Sequence, residues 1–275
     1  MSVKLSVVIP CYNMGAYVTE AIDSVLSYPN QDLIEIIVVN DGSNDQGFTK
    51  SVLEAYTNSN ITIIHQENQG LGAARNNGIK VSRAPFIIAL DADNKLRHEY
   101  IDYGISILEA NPTIGIVYGD NRQFGVNNQD IIVGSFDVSR LLKKNYIDAC
   151  VVLRKTAWES VHGYDENMPI MGYEDWDLNM RLFFKGWQFK YVQEICFDYR
   201  LRENSMLVTS NKNKDLLIDY MFSKPELEQA KLLRDKIIGY YDYKEILKNF
   251  KKRKVIRAAI KLERPIKSIN KLFKK

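Results

Sequence analysis

The chain has 275 residues, 45% apolar and 26% charged, with 15 Gly and 7 Pro, enough for one large domain or two small ones with a substantial core and unlike a disordered or fibrous composition. No apolar run reaches the roughly 20 residues of a membrane span, and the opening Met1-Ser2-Val3-Lys4-Leu5 is too short and wrongly built for a signal peptide, so a soluble, cytoplasmic protein is expected. Cys11, Cys150 and Cys196 are odd in number and far apart, which fits reduced core thiols better than a disulfide framework or a Cys-x-x-Cys metal site.

The net charge of +3 divides unevenly. Residues 244–275 hold 13 Lys or Arg and 2 acidic residues, net +11, whereas the preceding 243 residues hold 24 and 32, net −8. An acidic body with a basic tail points to an anionic surface as the tail's partner.

In chain order, Leu5-Ser6-Val7-Val8-Ile9 is a β-branched run ended by Pro10, a buried strand closed by a residue with no N–H for the ladder. Val18, Ala21, Ile22, Val25 and Leu26 then follow helical spacing. Ile34 to Val39 forms a second strand closed by Asn40-Asp41-Gly42-Ser43, followed by a helix with Val52, Leu53 and Tyr56 inward. Ile61 to Ile64 is the third, a helix runs over Leu71 to Val81, and Phe86 to Leu90 is the fourth. Strands alternating with helices imply an α/β fold with a doubly wound, mostly parallel sheet.

Beyond residue 100 the pattern changes. A helix with Ile105, Leu108 and Ala110 ends before Asn111-Pro112, and Ile114 to Tyr118 is a strand closed by Gly119-Asp120. Asn127-Asn128 marks a hairpin, Ala149 to Leu153 a strand, and Glu174 to Phe184 a helix with Leu178, Leu182 and Phe183 inward. Phe189 to Val192 and Ile195 to Tyr199 read as two more strands, and the lack of a Gly-, Ser- or Pro-rich linker favours one mixed sheet built from both halves. Ser223-Lys224-Pro225-Glu226 has the form of a capping box ahead of Leu227, Ala230 and Leu233. Tyr243, Ile246, Leu247 and Phe250 keep helical spacing, and beyond Pro265 so do Ile266, Ile269, Leu272 and Phe273. Such a basic amphipathic tail either lies on an anionic membrane or packs its apolar side on its own domain or a partner helix.

Chemistry concentrates where strands end, the edge at which open α/β sheets hold ligands. Asp91-Ala92-Asp93 follows the fourth strand, and on extended chain its two carboxylates face one side, suited to an oxygen-rich ligand with a divalent metal. Asp41 can accept an N–H from a uracil or guanine edge, with Gly42 permitting close approach. The loop Asn68 to Asn76 combines Gly70 and Gly72 with Arg75, a charge for a diphosphate. An arginine stands where a dinucleotide fingerprint needs its third glycine, so hydride transfer loses support. Glu174 and Asp175 open a helix amid Met168, Ile170, Met171, Tyr173 and Trp176, where partial desolvation makes a carboxylate a better proton acceptor. Arg200, Arg202 and Ser205 are suited to a leaving diphosphate. His65, His98 and His162 lack ligand spacing, and of the three tryptophans only Trp176 neighbours the proposed base.

Taken together, Ser6 to Asn13, Val39 to Ser43, Asn68 to Gly78, Asp91-Ala92-Asp93, His162-Gly163-Tyr164-Asp165-Glu166 and Tyr173-Glu174-Asp175 resemble, in order, the signatures of family 2 glycosyltransferases with the GT-A fold. The resemblance implies a GT-A domain over 1–206, with a nucleotide-binding half at 1–110 and an acceptor half at 111–206, followed by a helical, basic extension at 207–275. It implies an inverting transferase that uses a sugar nucleotide, usually a UDP-sugar, with Mn or Mg, acting on a glycan or glycolipid. It puts Pro10, Tyr12, Asn13, Gly70 and Ala92 along the nucleotide sugar, Asp41 on the base, Arg75 near base or diphosphate, Asp91 on the ribose, Asp93 on the metal and Asp175 as general base with Glu174 beside it. Arg200, Arg202 and Trp176 fall to the diphosphate or acceptor. Some members carry a histidine metal ligand near the position of Arg202, which this chain lacks. Two rival readings stand beside this one: a nucleotidyltransferase, which leaves Glu174-Asp175 without a role, and a non-catalytic protein held at a membrane surface by its tail. Nucleic acid is a poor partner, since the acidic body would be repelled.

Overall fold

The computed structural model describes residues 2–202, 210 and 212–252. The chain forms two compact units, Met1–Ala230 and Lys231–Lys275. The expected boundary at 206/207 lies outside the described residues, as do Ser205, the side chains of Ile246, Leu247 and Phe250, and the stretch from Pro265 to Phe273.

The first unit is built on one nine-stranded sheet. Its first half alternates β1 (Leu5–Cys11), α1 (Val18–Leu26), β2 (Ile34–Asp41), α2 (Phe48–Glu54), β3 (Ile61–Gln66), α3 (Leu71–Val81) and β4 (Phe86–Ala89). β5 (Lys95–Leu96) and α4 (His98–Ala110) follow, then β6 (Ile114–Gly125), β7 (Gln129–Ile131), α5 (Val138–Leu141), β8 (Val152–Arg154), α6 (Lys155–Ser160), α7 (Glu174–Phe184) and β9 (Gln188–Leu201). α8 (Lys214–Phe222) and α9 (Glu228–Lys252) complete the described elements. Strand order is β3-β2-β1-β4-β8-β6-β9-β5, with β7 on β6. β3, β2, β1 and β4 are parallel. β8 lies antiparallel between β4 and β6, and β9 runs parallel to β6. The sheet is thus mixed and shared by both halves.

Period-two alternation splits the core between the sheet's two faces. Leu5, Val7 and Ile9 pack with α1, Leu53 of α2 and Tyr100, Ile101 and Leu108 of α4. Val8, Ile37, Val39 and Ile87 pack with Ala74 and Ile79 of α3, Trp158 of α6 and Leu178 and Leu182 of α7. α3 lies close against β1 because Gly78 has no side chain, since a Cβ there would stand 2.4 Å from Val8 Cγ1.

Four expectations need correction. β1 does not stop at Pro10 but runs on to Cys11, pairing Pro10 with Val39. Val8 O accepts from Leu90 N on the β4 side, so by alternation Pro10 turns its missing donor to the same side, beyond the end of β4. Gly119-Asp120 does not end β6, and the two short runs after Phe189 are one strand, β9. The pairing of β6 with β9 absorbs register shifts between Tyr118, Asp120 and Asn121, and a Cβ at Gly119 would meet Cys196 Sγ at 2.2 Å. The capping box is absent: α8 ends at Phe222, so Ser223 serves as its C-cap and donates to Tyr220 O at 2.7 Å.

The three cysteines are free and buried, and burial pushes the Cys11 thiol up to about 12. Lys224, after α8, reaches back 2.5 Å to both Asp165 Oδ2 and the fully buried Asp177 Oδ1 on α7. Among the described residues no helix is long and apolar enough to cross a membrane.

Candidate active site

The carboxyl ends of β1, β2, β4, β6 and β9 reach one edge of the sheet and, with the start of α3 and α7, enclose a cleft of about 450 Å³. Because β8 is antiparallel to its neighbours, the chain entering it, Asn145 to Ala149, arrives at that same edge. Lining the cleft are Pro10, Tyr12, Asp41, Arg75, Asp91, Ala92, Asp93, Glu174, Asp175, Arg200 and Arg202 of the residues expected from sequence. Three expected residues do not line it. Asn13 sits at φ 54° and exchanges hydrogen bonds with Asn44. Gly70 donates its N–H to Asp41. Trp176 is 1% exposed, donates to Leu141 O at 2.7 Å and packs edge-on against Tyr173, so it supports the cleft wall from the core.

Asp41 is buried, and its carboxylate accepts from Gln66 Nε2 and Gln69 N at 2.8 Å and from Gly70 N at 3.0 Å. Three of roughly four lone-pair sites therefore shape the loop before α3. Gly42, at φ +66°, lets that loop approach, since a Cβ there would lie 2.5 Å from Asn68 N. Arg75, 3% exposed, donates to Asp91 Oδ1 at 2.7 Å and lies 5.3 Å above the Tyr164 ring. Burial opposes its charge, but Asp91, Tyr164, Glu174 and Asp175 outweigh burial and strengthen its hold on the proton. The neighbouring Asn76 fixes Tyr164: its amide accepts from Tyr164 N and Trp158 Nε1 and donates to Tyr164 O and Glu166.

The turn after β4 is fastened to β9. Arg200 N donates to Asn94 Oδ1 at 2.9 Å, Arg200 Nε to Asp93 O at 3.0 Å and Arg200 Nη2 to Glu20 at 2.8 Å. Arg202 Nε stands 2.7 Å from Asp93 Oδ2 in an ion pair. Burial, then the charge of Asp91, raises the proton affinity of Asp93, against Arg202. Asp93 is therefore a carboxylate with cationic charge to gain. Among the described residues no three His, Cys, Asp or Glu side chains stand close enough to enclose a metal by themselves.

Across the cleft, α7 opens with Glu174 and Asp175. Glu174 Oε2 accepts from Gly172 N at 2.8 Å, and Oε1 is buried without a partner. Asp175 is enclosed by protein yet opens partly to the cleft; it accepts from Trp176 N at 2.8 Å and from Asn145 Nδ2 at 2.9 Å. Burial raises its proton affinity, while Asn145 and Arg75 hold it down.

Sequence reading missed Asn145 and Asp148. Asp148 Oδ1 accepts from Cys150 N at 2.9 Å. Burial, followed by the charge of Asp91 and Asp175, pushes its carboxyl up to about 7. Because an ordinary Asp titrates near ~3.9, the folded state binds more protons than the unfolded chain between about pH 4 and 7, and this group's contribution to stability falls as pH rises through that window. Asp148→Asn is thus expected to raise the melting temperature more at about pH 8 than at about pH 4. Equal shifts in differential scanning fluorimetry at the two pH values would refute this account of the group.

Comparison with known proteins agrees with the fold. Staphylococcal TarS (S. aureus, residues 1–349, in complex with UDP-GlcNAc) superposes with a TM-score of 0.64 at 18% identity, over 85% of this chain and 70% of that one. In sequence, a protein named uncharacterized glycosyltransferase from Rickettsia bellii is 31% identical over 191 residues, 65% of this chain and 27% of its own length. Chondroitin synthase of Escherichia coli is 25% identical over 77% of this chain and 30% of its own. Minor teichoic acid biosynthesis protein GgaB of Bacillus subtilis is 27% identical over 86% and 28%. The chain thus spans less than a third of the length of these three relatives. Residues 139–204 match a family described as the N-terminal domain of galactosyltransferase. Residues 6–158, more than half of the chain, match the family described as Glycosyl transferase family 2, and with the GT-A architecture above, the chain belongs to the family 2 glycosyltransferases.

Proposed function

We propose that this glycosyltransferase moves a sugar from a UDP-sugar to a hydroxyl of a glycan or glycolipid with inversion at the anomeric carbon. The observation that carries the reading is Asp175, poised at the start of α7 and open to the same cleft as Asp91, Asp93 and Arg75. Asp175 takes the proton of the acceptor hydroxyl as that oxygen attacks the face opposite the nucleotide; the C–O bond to the diphosphate breaks and the electron pair leaves with it. Arg200 and Arg202 border the cleft beside Asp93, where they can neutralise the leaving diphosphate. A Mn or Mg ion bound through Asp93 and the diphosphate would add positive charge to the leaving group. UDP and UDP-GlcNAc occur in TarS structures of the same fold, which supports a uridine nucleotide, and the relatives named for chondroitin and teichoic acid support a polysaccharide product. The nucleotidyltransferase alternative is disfavoured because Glu174 and Asp175 share the cleft rather than standing idle.

Calorimetric titration with UDP, GDP and CDP, each with and without Mn, tests the donor site. UDP is expected to bind most tightly, in a Mn-dependent manner weakened in Asp93→Ala. Equal or absent binding of all three would reject the reading.

The tail fits attachment to the cytoplasmic face of an anionic membrane. α9 exposes Leu232, Leu233, Tyr240, Tyr241 and Tyr243, and residues 244–275 carry net +11. Salt-sensitive cosedimentation with anionic liposomes, lost on removing 244–275, is the expected result; no binding at low salt would sink it.

A further inference from the structure

The first turn of α7 brings Asp175 to the cleft and is anchored from its far side. Asp177 lies about 200° around the helix from Asp175, so one carboxylate meets the cleft while the other is 0% exposed. Each Asp177 oxygen meets its own cation. Oδ2 accepts from Arg181 Nε at 2.8 Å, and that guanidinium also reaches Val161 O and Gly163 O. Oδ1 accepts from Lys224 Nζ at 2.5 Å. The same ammonium stands 2.5 Å from Asp165 Oδ2, which also takes the Tyr220 hydroxyl at 2.9 Å. Burial pulls the Asp165 carboxyl up, but the hydrogen bonds from Lys224 and Asn167 N carry it below its ordinary value. The four charges balance, Asp165 and Asp177 against Arg181 and Lys224. Without the ammonium, two carboxylates would share a buried site with one cation, and that cation faces only Asp177. Like charges so placed must part or take up a proton, and parting moves the turn that carries Asp175.

We propose that Lys224 is a positioning residue for sugar transfer: its ammonium, set between Asp165 and Asp177, fixes the first turn of α7 and through it the aim of Asp175 into the cleft. The proposal rests on the transferase reading above, with Asp175 as base, and adds a residue that does not itself line the cleft. The donor side is held separately, because Asn76 fixes Tyr164 beneath Arg75 without Lys224.

Lys224→Met keeps much of the side chain's length and removes its charge. In radiometric transfer assays the rate is expected to fall by about tenfold to a hundredfold, the scale of moving a reacting group by about 1 Å, while UDP affinity by calorimetry stays near native. Labelling the full chain with 5-fluorotryptophan gives a readout independent of the reaction. Trp176 lies in the first turn of α7 and Trp187 beyond its other end, so the fluorine NMR signal of Trp176 should shift in the variant while that of Trp187 holds. Adding Asp165→Asn to Lys224→Met restores the balance, leaving Asp177 with Arg181 and supplying an amide to donate where the ammonium did; rate and Trp176 signal should return most of the way. A native transfer rate in Lys224→Met, an unmoved Trp176 signal, or a double variant as impaired as the single would each overturn the proposal. Loss of UDP binding with displacement of both tryptophan signals would also overturn it, making Lys224 a support of the fold at large. Undiminished transfer in Asp175→Asn beside a shifted Trp176 signal in Lys224→Met faults the reading beneath and leaves the hold on α7 standing.

Discussion

Asp175→Asn is expected to lower sugar transfer by about a thousandfold, the scale of a lost general base, while UDP affinity stays near that of the native chain. The substitution keeps shape, and the amide oxygen can still accept from Trp176 N or Asn145, so α7 loses little. What disappears is the site for the acceptor's proton. Radiometric transfer assays alongside UDP calorimetry make the comparison, and a parallel loss of UDP binding would assign Asp175 a structural role. The acid side of the native rate profile carries a second signature. Burial raises the proton affinity of Asp175, so the rate should begin to fall at a pH above the ~3.9 of an ordinary Asp. Asn145→Ala removes a donor that favours the carboxylate and should move that limb further up.

The second large effect falls on stability. Asn76 is 2% exposed and satisfies Tyr164 N, Tyr164 O, Trp158 Nε1 and Glu166. Asn76→Ala strands several of these in the core at roughly 1–3 kcal/mol each, for a total of about 4 kcal/mol. In a chain of this size that lowers the melting temperature by about 10 °C. It should also weaken UDP binding, since Asn76 holds the Tyr164 ring over which Arg75 lies. A melting temperature within a degree or two of native would show that water replaces the amide.

The first hundred residues were legible because β1, β2 and β4 are buried on both faces and read as continuous apolar runs, and α3 and α7 matched their observed spans. Runs such as Phe86 to Leu90 carry their own boundaries. The second half was harder, because β6 and β9 carry polar residues and register shifts that periodicity interprets as strand ends. The direction of β8 was invisible too. Parallel-sheet logic looks for ligand groups after a strand, and an antiparallel insertion brings forward the residues that precede one, which is why Asn145 and Asp148 escaped notice. Trp176 was misplaced for a related reason: adjacency to Asp175 in sequence is a turn of 100° on a helix, which carries the indole into the core. The helical stop at Phe222 likewise claimed Ser223 from its expected cap.

One sheet runs without interruption beneath both halves, and Arg200 ties the Asp91–Asn94 turn to β9 across it. Among the described residues of Met1–Ala230, no break in that sheet parts its first half from its second. On the transferase reading proposed above, turnover on such a shared floor is expected to need no closing motion of two lobes, leaving water to be kept out by the substrates themselves and by the rims around them. The pace of nucleotide release is then a property of local side-chain and loop movement at those rims, and each product must leave past the groups that bound it rather than through an opening jaw.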